Sequence, residues 1–101
     1  MRQGTTPTHS FTLPFDADYP DEIEITYSQN GAIVLKKYKK DCLLSGNKIS
    51  FKLTQEETFK FSYKDNVEIQ IRALLGGSCV IGCDPMVVSV KKCNSREVIT
   101  V

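Results

Sequence analysis

A single histidine, four cysteines and a dispersed set of carboxylates are the side chains of this 101-residue chain that could do chemistry. A thiol nucleophile needs an imidazole within hydrogen-bond reach and a third group to orient it. His9 lies near the chain start, on an alternating stretch where it shares a face with Phe11 and Leu13, and no orienting group is announced. With no histidine companion it cannot build a His-rich metal site, so it reads as a structural or edge histidine. Cys79-x-x-x-Cys83 is not the Cys-x-x-Cys knuckle of a structural zinc site. On a strand, residues four apart face the same way with Cα atoms about 13 Å apart. That exceeds the ~7 Å reach of a disulfide unless a bulge intervenes. Cys42, Cys79, Cys83 and Cys93 therefore read as small hydrophobes or free thiols, ahead of a disulfide or a metal site.

The carboxylates Glu22, Glu24, Asp65 and Asp84 fall on outward positions and turns, and a hydrolase dyad is unsupported. Glu56-Glu57 is accounted for as helix-start chemistry after Thr54. Gly76-Gly77 is followed by no helix, which makes it a turn and not a phosphate cradle. Lys36 to Lys40 include one aromatic, Tyr38, and alternation divides the lysines between two faces, so a solvated edge strand is favoured over a nucleic-acid patch. We expect no catalytic residue, no cofactor, no metal and no small-molecule substrate.

Thirteen basic residues against 12 acidic give a net charge of +1. This balance offers no general attraction to nucleic acid or anionic membrane, and it does not oppose self-association. No segment approaches the ~20 apolar residues of a membrane span. Residues 1–7 lack the apolar core of a secretory signal. The expected setting is a cytoplasm, with reduced thiols. One domain is expected over residues 1–101, with 1–7 and 93–101 as flexible tails.

The elements that must position these groups are strands. Val67, Ile69, Ile71 and Ala73 alternate with Glu68, Gln70 and Arg72, the period of a central strand with one buried face. Gly76-Gly77 predicts a two-residue hairpin turn after it. Thr8 to Phe15 predicts a strand ended by Pro14, and Asp16 to Asp21 a loop. Ile23, Ile25 and Tyr27 predict a half-buried strand that returns through Asn30-Gly31 into the lysine-bearing edge strand Ala32 to Lys40. Counting from that turn places Gln29 opposite Ala32, Tyr27 opposite Val34, Ile25 opposite Lys36 and Ile23 opposite Tyr38. Leu43-Leu44 is expected to dip into the core from a connection, with a turn at Ser45-Gly46-Asn47. Ile49, Phe51 and Leu53 mark another inward face. Thr54 and Glu57 predict a capping box on a single helical turn near residues 54–58, followed by a short strand over Thr58 to Phe61. Ser78 to Lys92 predicts a return strand broken by a bulge or sheet switch at Asp84-Pro85. Val98, Ile99 and Val101 are placed to add a strand to a neighbour. About seven short antiparallel strands with no long amphipathic helix give an all-β sandwich.

Two stretches carry a resemblance. Arg2 to Phe15 resembles the opening of small proteins encoded in phages and prophages of Gram-positive bacteria. Gly46 to Thr58, followed by Val67 to Arg72, looks like the second half of the same group. More broadly, the layout is similar to the N-terminal domain of the phage baseplate upper protein. Shared features are the Gln-Gly-Thr opening, the strand carrying Ile49, Phe51 and Leu53, the short helical turn and the final hairpin. The resemblance implies an immunoglobulin-like β-sandwich that docks onto other virion proteins. The expected role is a non-enzymatic tail or baseplate assembly module that self-associates, made in the bacterial cytoplasm and carried in the virion tail. The alternative is a small phage-encoded adaptor or regulator that binds a host protein.

Overall fold

The computed structural model describes residues 1–100. In chain order the elements are β1 (Thr8–Thr12), β2 (Glu22–Gln29), β3 (Ala32–Tyr38), β4 (Leu43–Ser45), β5 (Lys48–Lys52), α1 (Gln55–Phe59), β6 (Val67–Leu75), β7 (Cys79–Gly82) and β8 (Met86–Val88). A 3-10 turn, Lys39–Asp41, follows β3. One sheet runs β1-β5-β4; the other runs β3-β2-β6-β7, with β8 also pairing β6. All strand pairings are antiparallel.

Alternation works as expected on the central strands. Ile23, Ile25 and Tyr27 on β2, Ile49 and Phe51 on β5, and Val67, Ile69, Ile71 and Ala73 on β6 are all buried. Their faces meet between the sheets. The Tyr27 ring stands edge-on to Phe51 with centroids 6.1 Å apart, and is tilted against Phe61 at 5.7 Å. Such offset and edge geometries suit the quadrupoles of aromatic rings.

The β2–β3 hairpin departs from simple counting. Asn30 and Gly31 adopt φ 50° and 76°, as their turn requires, and Gln29 faces Ala32. A bulge at Val34 then shifts the register, so Tyr27 faces Leu35, Ile25 faces Lys37 and Glu24 faces Tyr38. The expected pairs Tyr27–Val34, Ile25–Lys36 and Ile23–Tyr38 are each displaced. Because side chains alternate, this one-residue shift turns Lys37 to the core side of the sheet. There its ammonium meets the Glu57 carboxylate at 3.0 Å.

Other expectations are corrected or narrowed. Leu43 is 79% exposed on the short strand β4, and only Leu44 packs against the core. Thr58 to Phe61 forms no strand; Phe61 reaches the core from the residues after α1. Gly76 and Gly77 do take positive φ, and Ser78 N–H donates to Leu75 O at 3.3 Å, yet the ladder resumes one residue later with Leu75 opposite Cys79. Asp84-Pro85 is a bulge and not a sheet switch, because the strands before and after it both pair β6. The proposed added strand falls partly on Val101, which lies outside the described residues; Val98 and Ile99 form no strand.

The chain start is tied down. Gln3 N–H donates to Lys91 O and Lys91 N–H donates to Met1 O, at 3.0 and 2.8 Å. The Gln3 side chain, 2% exposed, donates to Phe61 O at 2.6 Å. Gly4 sits at φ 74° beneath the Phe59 ring, and a Cβ there would meet Phe59 Cζ at 2.8 Å. The Thr58 hydroxyl accepts from Gly4 N–H at 2.9 Å and donates to Thr5 O at 3.0 Å. Gln3-Gly4-Thr5 is thus a clamp across α1. That helix is capped as expected, with Thr54 Oγ1 accepting from Glu57 N–H and Glu57 Oε1 accepting from Thr54 N–H.

Three substitutions test this account. Ile69→Ala should cost ~2–5 kcal/mol as a buried large-to-small change, while Ile33→Ala, at a 57% exposed position, should stay within about 0.5 kcal/mol. Urea titration reads both, and equal losses would mean that the faces are wrongly assigned. Gly4→Ala should destabilise by more than ~1 kcal/mol, since its φ and the Phe59 contact both oppose a Cβ. A neutral result would dissolve the clamp.

Candidate functional site

Two titratable side chains from facing sheets meet between β1 and β2. His9, inward on β1, brings Nδ1 within 2.8 Å of the Tyr27 hydroxyl and packs its ring against Tyr27 and Phe51. A buried phenol needs such a partner. Burial, followed by the nearby N-terminal ammonium, holds the His9 imidazole below its ordinary 6.5. Burial, then the Glu57 carboxylate, pushes the Tyr27 phenol upward. Both groups are therefore neutral near pH 7, and the bond between them is a structural one that keeps its proton. Burial also pushes the Cys42 thiol up to about 11, with Asp41 adding to the effect, so it is no activated nucleophile. Cys42 donates to Tyr38 O at 3.3 Å.

The remaining candidates are dispersed. Cys79 and Cys83 are exposed, Cys93 is half-buried, and all four thiols are free. Glu22 accepts backbone N–H groups from Ile23 and Lys39. Glu56 is exposed on α1, and Asp84 is exposed in the bulge after β7. Asp65 offers its backbone carbonyl to Gln29. Burial opposes the charge on Glu57, but hydrogen bonds from Thr54 and Lys37 outweigh it and hold the carboxyl below its usual range. Lys36 pairs with Glu24 and Lys37 with Glu57, while Lys39 Nζ donates to Asp18 O and Pro20 O, so the lysine run serves three different surroundings. Among the described residues, no group of three His, Cys, Asp or Glu side chains is placed to hold a metal ion.

What the structure does gather is surface. On the outer face of the large sheet, Arg72 Nη2 and Nε donate to Glu24 Oε1 at 2.6 and 3.1 Å, and Lys36 stands 3.7 Å from Glu24 Oε2. The hydrogen bond from Arg72 leads in holding the Glu24 carboxyl below its usual range. Beside this cluster, Glu22, Leu74 and Val80 line a groove of about 170 Å³. A second groove of about 130 Å³ lies on the inner side of the same strand, lined by Leu13, Phe15, Ile81 and Cys83 among others. Both are smaller than the ~300–1,000 Å³ of typical small-molecule sites. Val80 and Ile81 are exposed on opposite faces of β7. A larger groove of about 490 Å³ separates Thr54–Glu56 from Val98–Thr100, where Gln55 holds Ile99 through both its backbone groups. Alternation identified Val80 and Ile81 only as strand residues; that β7 lies at a sheet edge, where both faces stay open, is a property of the topology.

No family model matches the chain, and no curated protein matches it. Among solved structures it is similar to the immunoglobulin-like domain of mouse leukocyte-associated immunoglobulin-like receptor 1, described as a strand-swapped dimer. The TM-score is 0.50 at 11% identity, over 93% of this chain and 85% of that one. The V domain of amphioxus IgVJ-C2 aligns at TM-score 0.40 and 11% identity, over 90% of this chain and 95% of that one. The fold is an immunoglobulin-like β-sandwich. In that scheme β1, β4 and β5 stand as strands B, D and E, and β2, β3 and β6 as C, C′ and F, with β7 and β8 sharing G. The chain has no tryptophan for strand C and no cysteine on β1 or β6. Tyr27, Phe51 and Phe61 fill the space between the sheets instead.

The His9–Tyr27 pair sets a pH dependence. The folded state disfavours the charged imidazole, so between its lowered value and the ordinary 6.5 the unfolded chain binds more protons. Stability is then complete above about pH 6.5 and falls as pH drops through that window. His9→Gln, which retains a hydrogen-bonding group, should flatten this part of the profile in urea titrations. An identical slope in the variant would remove His9 as its source.

Proposed function

We propose that the chain is a non-enzymatic structural module of a phage or prophage tail or baseplate, assembling with other virion proteins and with copies of itself. The observation that carries this reading is the exposed apolar surface on both faces of β7, Val80 and Ile81 with the adjoining grooves, on a domain whose reactive side chains are dispersed. The fold is consistent with a contact role, since sandwiches of this kind present strand faces and loops for binding. The resemblance of Arg2 to Phe15 and of Gly46 to Thr58 supplies the phage setting. In the structure the same segments pack together: Gln3-Gly4-Thr5 grips α1, and β1 pairs β5. A net charge of +1 leaves copies free to approach one another.

On this reading the protein is made in the bacterial cytoplasm and ends in the particle. Mass spectrometry of purified virions should find it in amounts comparable to other tail components. Light scattering on the isolated protein should give a dimer or larger assembly. Absence from particles together with capture of a single host protein would replace this reading with that of an adaptor.

A further inference from the structure

We propose that β7 is the self-association edge, pairing antiparallel with β7 of a second copy about a twofold axis at Ile81, with Cys79 of each copy facing Cys83 of the other. This rests on the self-association proposed above and names its surface and register. β7 ends the order β3-β2-β6-β7, so its far side is an open ladder. Cys83 N–H donates to Ile71 O at 3.1 Å, toward β6. By the alternation of an antiparallel ladder, Ile81 and Cys79 also turn their backbone groups toward β6, while Val80 and Gly82 turn theirs outward.

The outward groups choose the register. Val80 against Gly82 of the second copy, and the reverse, forms four backbone hydrogen bonds and uses every outward donor and acceptor of the strand. A register centred on Val80 or on Gly82 leaves some of them unused. In the chosen register, Cys79 opposite Cys83 and Ile81 opposite Ile81 become the non-hydrogen-bonded pairs. Their Cα atoms lie ~4.5 Å apart, within the ~4.4–6.8 Å span of a disulfide. The largest outward-face residue of β7, Val80, would lie against the residue without a side chain, Gly82.

Charge and edge protection agree with this occupant. Leu75 to Cys83 carry no charged residue, so two copies meet without repulsion. β3, at the opposite edge, carries Lys36, Lys37 and a bulge, the usual guards against edge pairing. Five paired residues from each copy fall short of the ~1,200–2,000 Å² of a standard interface. The grooves flanking β7 extend the contact, with Leu74 and Val80 on one face and Phe15 and Ile81 on the other.

The thiols report the register. A protein with Cys42→Ser and Cys93→Ser is treated with diamide, an azo compound that takes up the two protons and two electrons released as each S–S bond forms. Non-reducing electrophoresis should show a covalent dimer, and peptide mass spectrometry a Cys79–Cys83 link between copies. Adding Cys79→Ser or Cys83→Ser should abolish it, because identical cysteines then lie about 13 Å apart. Mixing those two variants should restore it. A protein that is dimeric by light scattering but gives no such link, or links like cysteines, overturns the register and leaves self-association standing. A strict monomer overturns both. A Cys79–Cys83 disulfide within one copy also overturns the proposal, since it requires β7 not to be extended.

Discussion

The structure depends on satisfying one phenol at the centre of the sandwich. Tyr27 is fully buried, and its ring contacts aromatic side chains from the facing sheet, His9 and Phe51, and from the segment after α1, Phe61. Its hydroxyl cannot be left without a partner there, because burying an unpaired polar group costs several kcal/mol on the scale of ~2–7. His9 supplies the bond, and β1 is thereby tied to β2 across the two sheets. Burial at this position, followed by the nearby N-terminal ammonium, favours the neutral form of the single histidine.

Glutamines perform the corresponding task at the periphery. Gln3, Gln29 and Gln55 are buried, and each side-chain amide binds the backbone of a segment that lacks a ladder of its own. Gln3 holds Phe61 O, Gln29 holds Ser62 and Asp65, and Gln55 holds Ile99. An amide can donate and accept at once, as a strand backbone does. Loops and termini are thereby pinned without additional strands, and a chain of this length completes an immunoglobulin-like sandwich with no disulfide between its sheets.

Much of the architecture was legible. The alternation of β2, β5 and β6, the Asn30-Gly31 turn and the Thr54–Glu57 capping box all act locally, within a few residues, and local physics is what a sequence displays. The bulge at Val34 was not legible, since an extra residue in one strand is decided by which register packs both hairpin arms. Its consequence reaches the surface chemistry: Lys37 turns inward to Glu57, while Lys36 remains outside with Glu24 and Arg72. The dispersal of thiols and carboxylates could be read from their spacing, whereas the meeting of His9 with Tyr27 required knowing that β1 and β2 lie in opposing sheets.

The amino-acid order alone determined that this chain forms short alternating strands with a buried aliphatic face and one capped helical turn, because side-chain direction on a strand follows a period of two. The tertiary structure decided that β7 stands at an edge, as the lysine-bearing β3 was expected to, which polar groups meet in the interior, and that the Gln3-Gly4-Thr5 segment is a clamp and not a free tail. Those outcomes depend on residues tens of positions apart being brought into contact, and nothing in local spacing records that distance being closed.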